Sequence, residues 1–264
     1  MKELFRAAWA YRHFIVSSIK NDLRARFVRS KLGALWMILQ PLAQSAIYAL
    51  VLSKVLAAKL PNMESAYAYP IYLMSGVLAW TLFSELILRS MTMFVENANI
   101  MKKILFPRIC LPIVTAGSAL VNNILLLAAT LSIFAMLGHW PAESLAWLPL
   151  LIAVNVAFGM ALGMLLGIFN VFVRDVAQVA GVILQLWFWL TPVVYMVDIV
   201  PDSARPYFEA NPMYPLVVGY QDVLLFGRSP DVQSLLVLGI SSLALLALSL
   251  LLFRRASADM VDVL

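Results

Sequence analysis

Charged residues and cysteine are scarce in this 264-residue chain. Only 12% of the residues are charged and 63% are hydrophobic, and the mean hydropathy is +0.90. Soluble domains carry about 25% charged residues, so the composition argues against a soluble globular protein and indicates a polytopic membrane protein. The single cysteine, Cys110, excludes an intrachain disulfide, and no CxxC motif or Cys/His ligand spacing occurs.

Histidine is almost absent, and so are the usual motifs for energy conversion. His13 and His139 are the only histidines, and a six-span topology separates them by the membrane, so we predict no catalytic site and no metal site. The sequence has no GxxxxGK[ST] phosphate loop, no acid cluster of an ion-coupled carrier and no TVGYG filter. Active transport would therefore need energy from another chain, and we predict neither enzymatic activity nor a bound cofactor here.

Long apolar stretches dominate what is present, and they predict an all-α membrane protein. A span needs about 20 helical residues to cross about 30 Å of hydrocarbon. The segment from Pro212 to Gly227 is too short and too polar to cross, so we predict an extracytoplasmic hairpin, re-entrant or interfacial, between spans five and six. The predicted spans are 33–55, 70–89, 109–137, 147–172, 176–197 and 234–253, within one transmembrane domain over 33–256.

The basic residues predict the orientation of these spans. Residues 1–31 place apolar side chains at helical spacing among basic ones, which predicts an amphipathic helix lying on an anionic membrane surface. With both termini in the cytoplasm, fifteen of the 19 Lys and Arg residues fall on the cytoplasmic side. The net charge of +5 is therefore attributed to cytoplasmic loops and not to nucleic-acid binding, and residues 257–264 are predicted to form a cytoplasmic tail.

The segment 96–112, ENANIMKKILFPRICLP, is the longest polar interruption in the first half of the chain. It carries Lys102, Lys103 and Arg108, and Pro107 and Pro112 prevent one helix from running through it. We interpret it as a short cytoplasmic helix between two spans. Such a projecting helix could receive a force from a protein outside the membrane.

Polar and aromatic residues inside the spans allow two interpretations. Amides facing lipid are costly, so they are predicted to form interhelical hydrogen bonds or to line a hydrated path. Glu85, at the inner end of span two, is expected to reach the lipid headgroups. Gly159, Gly163 and Gly167 recur every four residues, which predicts close helix packing. Aromatic side chains could pack in the core or stack on the apolar faces of sugars.

Four motifs occur in order along the predicted topology. They are Arg26–Gly33 with Trp36 and Gln40-Pro41-Leu42; Asn99, Lys102 or Lys103, Phe106-Pro107 and Leu111-Pro112; Asn170-Val171 with Arg174-Asp175; and Asn211-Pro212-Met213. In this order and on this topology, they resemble the permeases of type-2 ABC exporters of O-antigen, capsule or teichoic-acid polysaccharides. Gln221 departs from that family, in which a basic residue is expected at this position.

The resemblance implies a homodimer in the bacterial inner membrane, with two separate ATPase subunits that bind ATP and Mg²⁺. It also implies a lipid-linked glycan, O-antigen foremost, that moves between the two permeases. Residues implied to couple to the ATPase are Glu96, Asn97, Asn99, Met101, Lys102, Lys103, Phe106, Pro107, Arg174 and Asp175. Predicted substrate-path residues are Gln40, Gln44, Tyr48, Trp80, Phe83, Trp187, Trp189 and Tyr195.

Three other functions are compatible with the same sequence. A type-2 permease could carry another cargo, such as a lipo-oligosaccharide, a drug or a haem-related ligand. A membrane-embedded glycosyl or acyl transferase is disfavoured by the missing His/Asp constellation, and a channel would need no ATPase. An adjacent gene for an ATPase with a phosphate loop would decide for export.

Overall fold

The computed structural model describes residues 9–27, 35–50, 67–103, 108–196, 201–203 and 205–263, and no strand occurs among them. This confirms the predicted all-α class. The helices are α1 Arg12–Phe27, α2 Leu35–Leu50, α3 Ala68–Glu96, α4 Ala98–Lys103, α5 Cys110–Met136, α6 Leu148–Phe172, α7 Asp175–Trp189, α8 Arg205–Glu209, α9 Tyr214–Gln221 and α10 Val232–Val263.

Four of the predicted spans correspond to helices that are long and apolar enough to cross a membrane. These are α3, α5, α6 with the 3₁₀ turn Ser144–Trp147 before it, and α10. At 15 residues, α7 reaches only about 22 Å at 1.5 Å per residue, which is less than the hydrocarbon thickness. The 16-residue α2 is followed by residues outside the described part of the chain. The count of six spans therefore stays a prediction.

Helices α3 and α6 form the centre of the protomer. In their most apolar stretches 72% and 61% of residues are buried, against 28% for α5 and 22% for α10. Helix α5 packs on α3, α10 packs on α6, and α2 and α7 lie at the periphery. An all-round apolar sequence such as α6 is typical of a helix enclosed by others, whereas the outer helices leave apolar faces for lipid or another protein.

The three glycines of α6 lie directly against α3. A Cβ atom added at Gly163 would lie 2.7 Å from the Ser90 Cβ, and one added at Gly167 would lie 2.4 Å from the Ser90 carbonyl oxygen. At Gly159 it would lie 2.9 Å from Leu86. The missing side chains thus allow the two backbones to approach more closely than other residues would permit.

Buried amides hold neighbouring helices to the α3 backbone. The Asn155 side chain donates to the Ala79 carbonyl at 2.9 Å, and Asn123 donates to the Leu78 carbonyl at 3.3 Å. These contacts confirm the predicted interhelical hydrogen bonds. Each contact pairs a side-chain N–H group that would be costly to leave unpaired in lipid, and it fixes the rotation of its helix.

Helix α10 runs past the predicted end of the transmembrane domain at residue 256 without a break. Beyond that point Met260 is fully buried, and it belongs to an apolar cluster with Phe94, Met101 and Phe253. The predicted cytoplasmic tail is therefore helical up to Val263, and it packs against α3 and α4.

Between α7 and α10 the chain forms the short helices α8 and α9 and the single π-helical turn Asp222–Phe226. Most side chains from Leu216 to Leu225 are buried against the central helices. Ser144 donates to the Val223 carbonyl at 2.6 Å, and His139 hydrogen-bonds the Leu224 carbonyl at 2.8 Å. The segment predicted as a hairpin is thus a tightly held insert in the bundle.

Candidate functional site

A one-residue turn joins α4 to α3. The Asn97 side chain donates to the Met93 carbonyl at 2.7 Å, which closes the last turn of α3. The Asn97 carbonyl then accepts the Met101 N–H at 3.0 Å, which belongs to α4. Because one residue contributes to both helix ends, a displacement of α4 is passed directly to α3.

Helix α4 has one anchored face and one exposed face. Met101 is buried in the cluster with Phe94, Phe253 and Met260, in which the rings of Phe94 and Phe253 stack at 5.0 Å. Lys102 is exposed, as are Glu96 and Asn99. The structure therefore places three of the predicted coupling residues where another protein could contact them, and uses Met101 to fix the helix from behind.

The described part of the chain leaves three predicted coupling groups open. Phe106 and Pro107 lie outside it, and so does the side chain of Lys103. Arg108 is the next described residue, and its guanidinium donates to the Ser257 carbonyl of α10. This contact, like the burial of Met260, joins the end of α10 to the region around α4.

Arg174 and Asp175 lie in the turn between α6 and α7, and both are exposed. Asn170 fixes this turn, because its side chain donates to the Met91 carbonyl at 3.0 Å and accepts the Ala177 N–H at 3.1 Å. The turn is thus attached to α3 about two helical turns before α4. The sequence motif contained Asn170, but its two partners lie in other helices and could not be inferred from it.

Glu85 does not extend to the lipid headgroups as expected. It accepts a hydrogen bond from Asn122 of α5 at 2.6 Å and lies 3.5 Å from Arg89, which is also paired with Asp22 of α1 at 2.6 Å. These groups form a polar network across three helices. Arg89 therefore lies near two carboxylates, those of Asp22 and Glu85. Glu85 contacts these protein groups instead of the lipid headgroups that the sequence suggested.

Trp80 and Phe83 lie in an aromatic cluster inside the protomer. Both are buried, and the Phe83 ring stacks on Phe158 with 5.2 Å between centroids. Trp187 packs edge-on against Phe83 at 5.3 Å and against Trp80 at 6.4 Å. This geometry favours core packing for Trp80 and Phe83; their assignment to the substrate path stays a prediction.

The remaining path residues lie on the outer helices. Gln40 and Gln44 are exposed on α2, and Trp189 is 56% exposed at the end of α7. Tyr195 is half-buried and donates to the Trp189 carbonyl at 2.6 Å, while the Tyr48 side chain lies outside the described residues. Within one protomer, therefore, the predicted path residues divide into a core group and a surface group.

Asn211 connects the end of α7 to the inserted segment. Its Oδ1 accepts the indole N–H of Trp187 at 2.8 Å and the backbone N–H of Met213 at 3.0 Å. Its Nδ2 donates to the Leu190 carbonyl at 3.0 Å and to the Thr191 hydroxyl at 2.9 Å. These contacts explain the Asn-Pro-Met motif: the amide holds the turn in place.

Side chains from α3 and α9 satisfy the irregular backbone after α7. Tyr69 donates to the Val194 carbonyl at 2.7 Å, and Tyr72 donates to the Tyr195 carbonyl at 2.9 Å. The Gln221 amide donates to the Pro192 carbonyl at 3.0 Å and is buried. The uncharged side chain at position 221 thus has a structural role in this chain.

A profile of the family described as "ABC-2 type transporter" matches residues 14–225. The chain belongs to the ABC-2 type transporter family. The match runs from α1 to the π-helical turn, so in this ABC-2 type transporter it includes α4, the α6–α7 turn and the Asn211 junction.

Three relatives are similar in sequence to this chain along nearly their whole length. The chain is 31% identical to the O-antigen export system permease protein RfbA of Myxococcus xanthus over 248 residues, which cover 93% of each chain. It is 24% identical to the RfbA protein of Klebsiella pneumoniae over 95% of this chain and 94% of the relative. It is also 20% identical to the polysialic acid transport protein KpsM of Escherichia coli over 91% and 92% of the two chains.

Proposed function

We propose that this chain is the membrane-spanning permease of an ATP-driven exporter that moves a lipid-linked polysaccharide, O-antigen foremost, across the bacterial inner membrane. A separate ATPase supplies the energy, and the chain itself binds no nucleotide. The proposal includes six spans, both termini in the cytoplasm, and entry of the α8–α9 segment into the membrane from the outside.

Helix α4 carries the main structural support for this mechanism. Its exposed residues Asn99 and Lys102 face away from the protomer, whereas Met101 is buried among side chains of α3 and α10. The turn at Asn97 joins the two helices through hydrogen bonds to Met93 and Met101. A force applied to the exposed face by an ATPase would thus reach the central helix pair.

The cargo is proposed from the relatives. The RfbA proteins are named for O-antigen export and KpsM for polysialic acid transport, and the similarity extends over at least nine-tenths of this chain. Both cargo names denote polysaccharides. A long glycan needs a hydrated path, and the core of the described helices is packed mainly with apolar side chains.

A homodimer would supply such a path between two copies. Helix α7 exposes Val182, Ile183 and Leu186, and α2 exposes Trp36 and Ile47. These faces would contact lipid or the second copy, and Gln40, Gln44 and Trp189 lie on the same two helices. Two identical surfaces around a two-fold axis are the most frequent arrangement of homo-oligomers.

The experiment is export by the permease and its ATPase reconstituted together in vesicles. Replacing Lys102 and Lys103 by Glu should lower ATP-dependent glycan export about tenfold, a typical size for coupling between sites. The bilayer-embedded complex should still assemble, because Lys102 is exposed. Replacing Arg254 and Arg255 by Glu makes the same charge change at exposed positions of α10 and serves as the control.

Wild-type export by the Lys102→Glu/Lys103→Glu variant would refute the coupling role of α4. Uphill export by the chain without an ATPase would refute the proposed division of labour. Export of a lipid-linked oligosaccharide or drug, but not of a polysaccharide, would place the chain in the same family with another cargo.

A further inference from the structure

Arg89 of α3 lies where three helices meet. Its guanidinium is 2.6 Å from the carboxylate of Asp22 in α1 and 3.5 Å from that of Glu85 one turn earlier in α3. Glu85 in turn accepts a hydrogen bond from Asn122 of α5 at 2.6 Å. All three charged side chains are at least two-thirds buried, so their mutual attraction is screened less than that of surface pairs.

Helix α1 contacts α3 and α5 in different ways. Against α5 it packs directly: Ile15 is buried, and the Ile19 side chain fills the space beside Gly117, where an added Cβ would lie 2.5 Å from the Ile19 Cδ1. Between α1, α3 and α5 there is a cavity of about 480 Å³, lined by Asp22 and Arg89 among others. The ion pair bridges this cavity.

Arg89 is also close to α4 along the chain. It precedes the end of α3 by seven residues, which is about 10 Å at 1.5 Å per residue. Between Arg89 and α4 the helix is continuous, and the Asn97 turn then joins α3 to α4. A continuous series of contacts therefore runs from Asp22 through Arg89 and the Asn97 turn to α4.

We propose that Arg89 is a positioning residue that ties α1 to the α3–α4 unit, so that α1 and α4 move as one body. The Asp22–Arg89 pair is the tie, and the Glu85–Asn122 contact fixes the Arg89 side chain from the opposite side. This contact between α1 and α3 goes beyond the function proposed above, and the role of the contact in export rests on that function.

The tie can be tested on the full-length permease alone in lipid nanodiscs. Spin labels are placed at Lys20→Cys on α1 and Asn99→Cys on α4, both exposed, in a Cys110→Ala background. Labelled chains are diluted with unlabelled ones, so that distances within one chain dominate. Pulsed electron resonance then measures the distribution of the α1–α4 distance.

We expect a narrow distribution for the parent protein and a clearly broader one for both Arg89→Gln and Asp22→Asn. The double variant should be no broader than either single variant, because each change removes the same contact. Arg89→Lys retains the charge and should restore most of the narrow distribution. Arg24→Gln, which removes an exposed positive charge from α1, is the matched control.

Unchanged widths in Arg89→Gln and Asp22→Asn would overturn the proposal. Broadening that adds up in the double variant, or equal broadening in Arg24→Gln, would overturn it as well. Since no ATPase is present, these outcomes do not depend on the proposed function. Conversely, wild-type export by the Lys102→Glu/Lys103→Glu variant would refute the coupling role of α4. It would not affect the measured tie between α1 and the α3–α4 unit.

Discussion

Replacing Gly167 by Ala tests whether the contact between α3 and α6 determines the stability of the protomer. The new Cβ would lie 2.4 Å from the Ser90 carbonyl oxygen. Favourable carbon–oxygen contacts begin at about 3.3 Å, so α6 must move away from α3 by about 1 Å at this point. The obstacle is backbone and not the end of a flexible side chain, so a rotamer change cannot relieve it.

The cost follows from the groups that such a movement affects. Overpacking a close contact typically costs about 1–3 kcal/mol. The Asn170 hydrogen bond to the Met91 carbonyl, now 3.0 Å, would lengthen, and such bonds in membrane proteins contribute about 0.6 kcal/mol. Because Ala favours a helix over Gly by about 1 kcal/mol, the net destabilisation is about 1–2 kcal/mol.

Gly181→Ala in α7 is the matched control, because an added Cβ there meets no atom within 4 Å. It should gain the helix propensity without the clash, so the two variants should differ by about 2–3 kcal/mol. By the usual scaling for chains of this size, their melting temperatures should differ by roughly 5–10 °C.

The single buried cysteine provides the assay. Cys110 is fully buried at the start of α5, so a fluorogenic maleimide reacts with it as the protein unfolds. We expect the reaction midpoint of the Gly167→Ala variant to lie below that of the parent protein and that of Gly181→Ala at or above it. Equal midpoints for the two glycine variants would show that the close approach of α3 and α6 does not limit stability.

Two further predictions concern the segment between α7 and α10. Asn211→Ala should lower the unfolding midpoint by more than Gln233→Ala, an exposed control, because it removes four hydrogen bonds, two of them to the buried residues Thr191 and Met213; equal midpoints would contradict this. Asp231 caps α10, and hydrogen bonds from the Ser234 hydroxyl and backbone N–H lower the pKa of its carboxyl group below the usual 3.8. Its contribution is therefore present above pH 3.8 and lost as the pH falls through the lower folded-state pKa, and Asp231→Asn should remove this part of the acid sensitivity measured by circular dichroism.

Composition and helix length made most of the fold predictable. Stretches of about 20 apolar residues have few alternatives to a helix, and four of the six predicted spans correspond to long apolar helices, although α3 and α10 run past their predicted ends at 89 and 253. The periodic glycines indicated a close helix contact, but not that α3 is the partner or that Ser90 lies at its centre. Periodicity describes one helix, whereas a contact depends on two.

The position of the candidate site was predictable from composition, but its contacts were not. Proline and basic residues marked the position of α4, since they interrupt apolar runs. The sequence did not indicate which side chains hold α4 in place. Phe253 and Met260 follow Met101 by more than 150 residues. Their spacing of seven residues on α10 was a visible signal of a helix continuing past residue 256.

The aromatic residues illustrate what the sequence alone does not distinguish. Trp80, Phe83, Trp187 and Trp189 are all predicted path residues, and all are large rings near the middle of the predicted spans. Only the packing distinguishes them, since the first two are buried and Trp189 points away from the protomer core. Trp187 and Trp189 are two residues apart on one helix and point about 200° apart around its axis, so they belong to different environments.

The coil that follows α7 has a consequence for how the outer part of the bundle could open. Phenol and amide groups of Tyr69, Tyr72 and Gln221 supply the donors that a helix would otherwise provide from its own backbone. Separating this coil from α3 would break a few side-chain bonds and would leave every helix wound. The free energy needed to separate the coil from α3 can therefore be lowered by single Tyr→Phe substitutions at Tyr69 or Tyr72, while the surrounding helices keep their conformation.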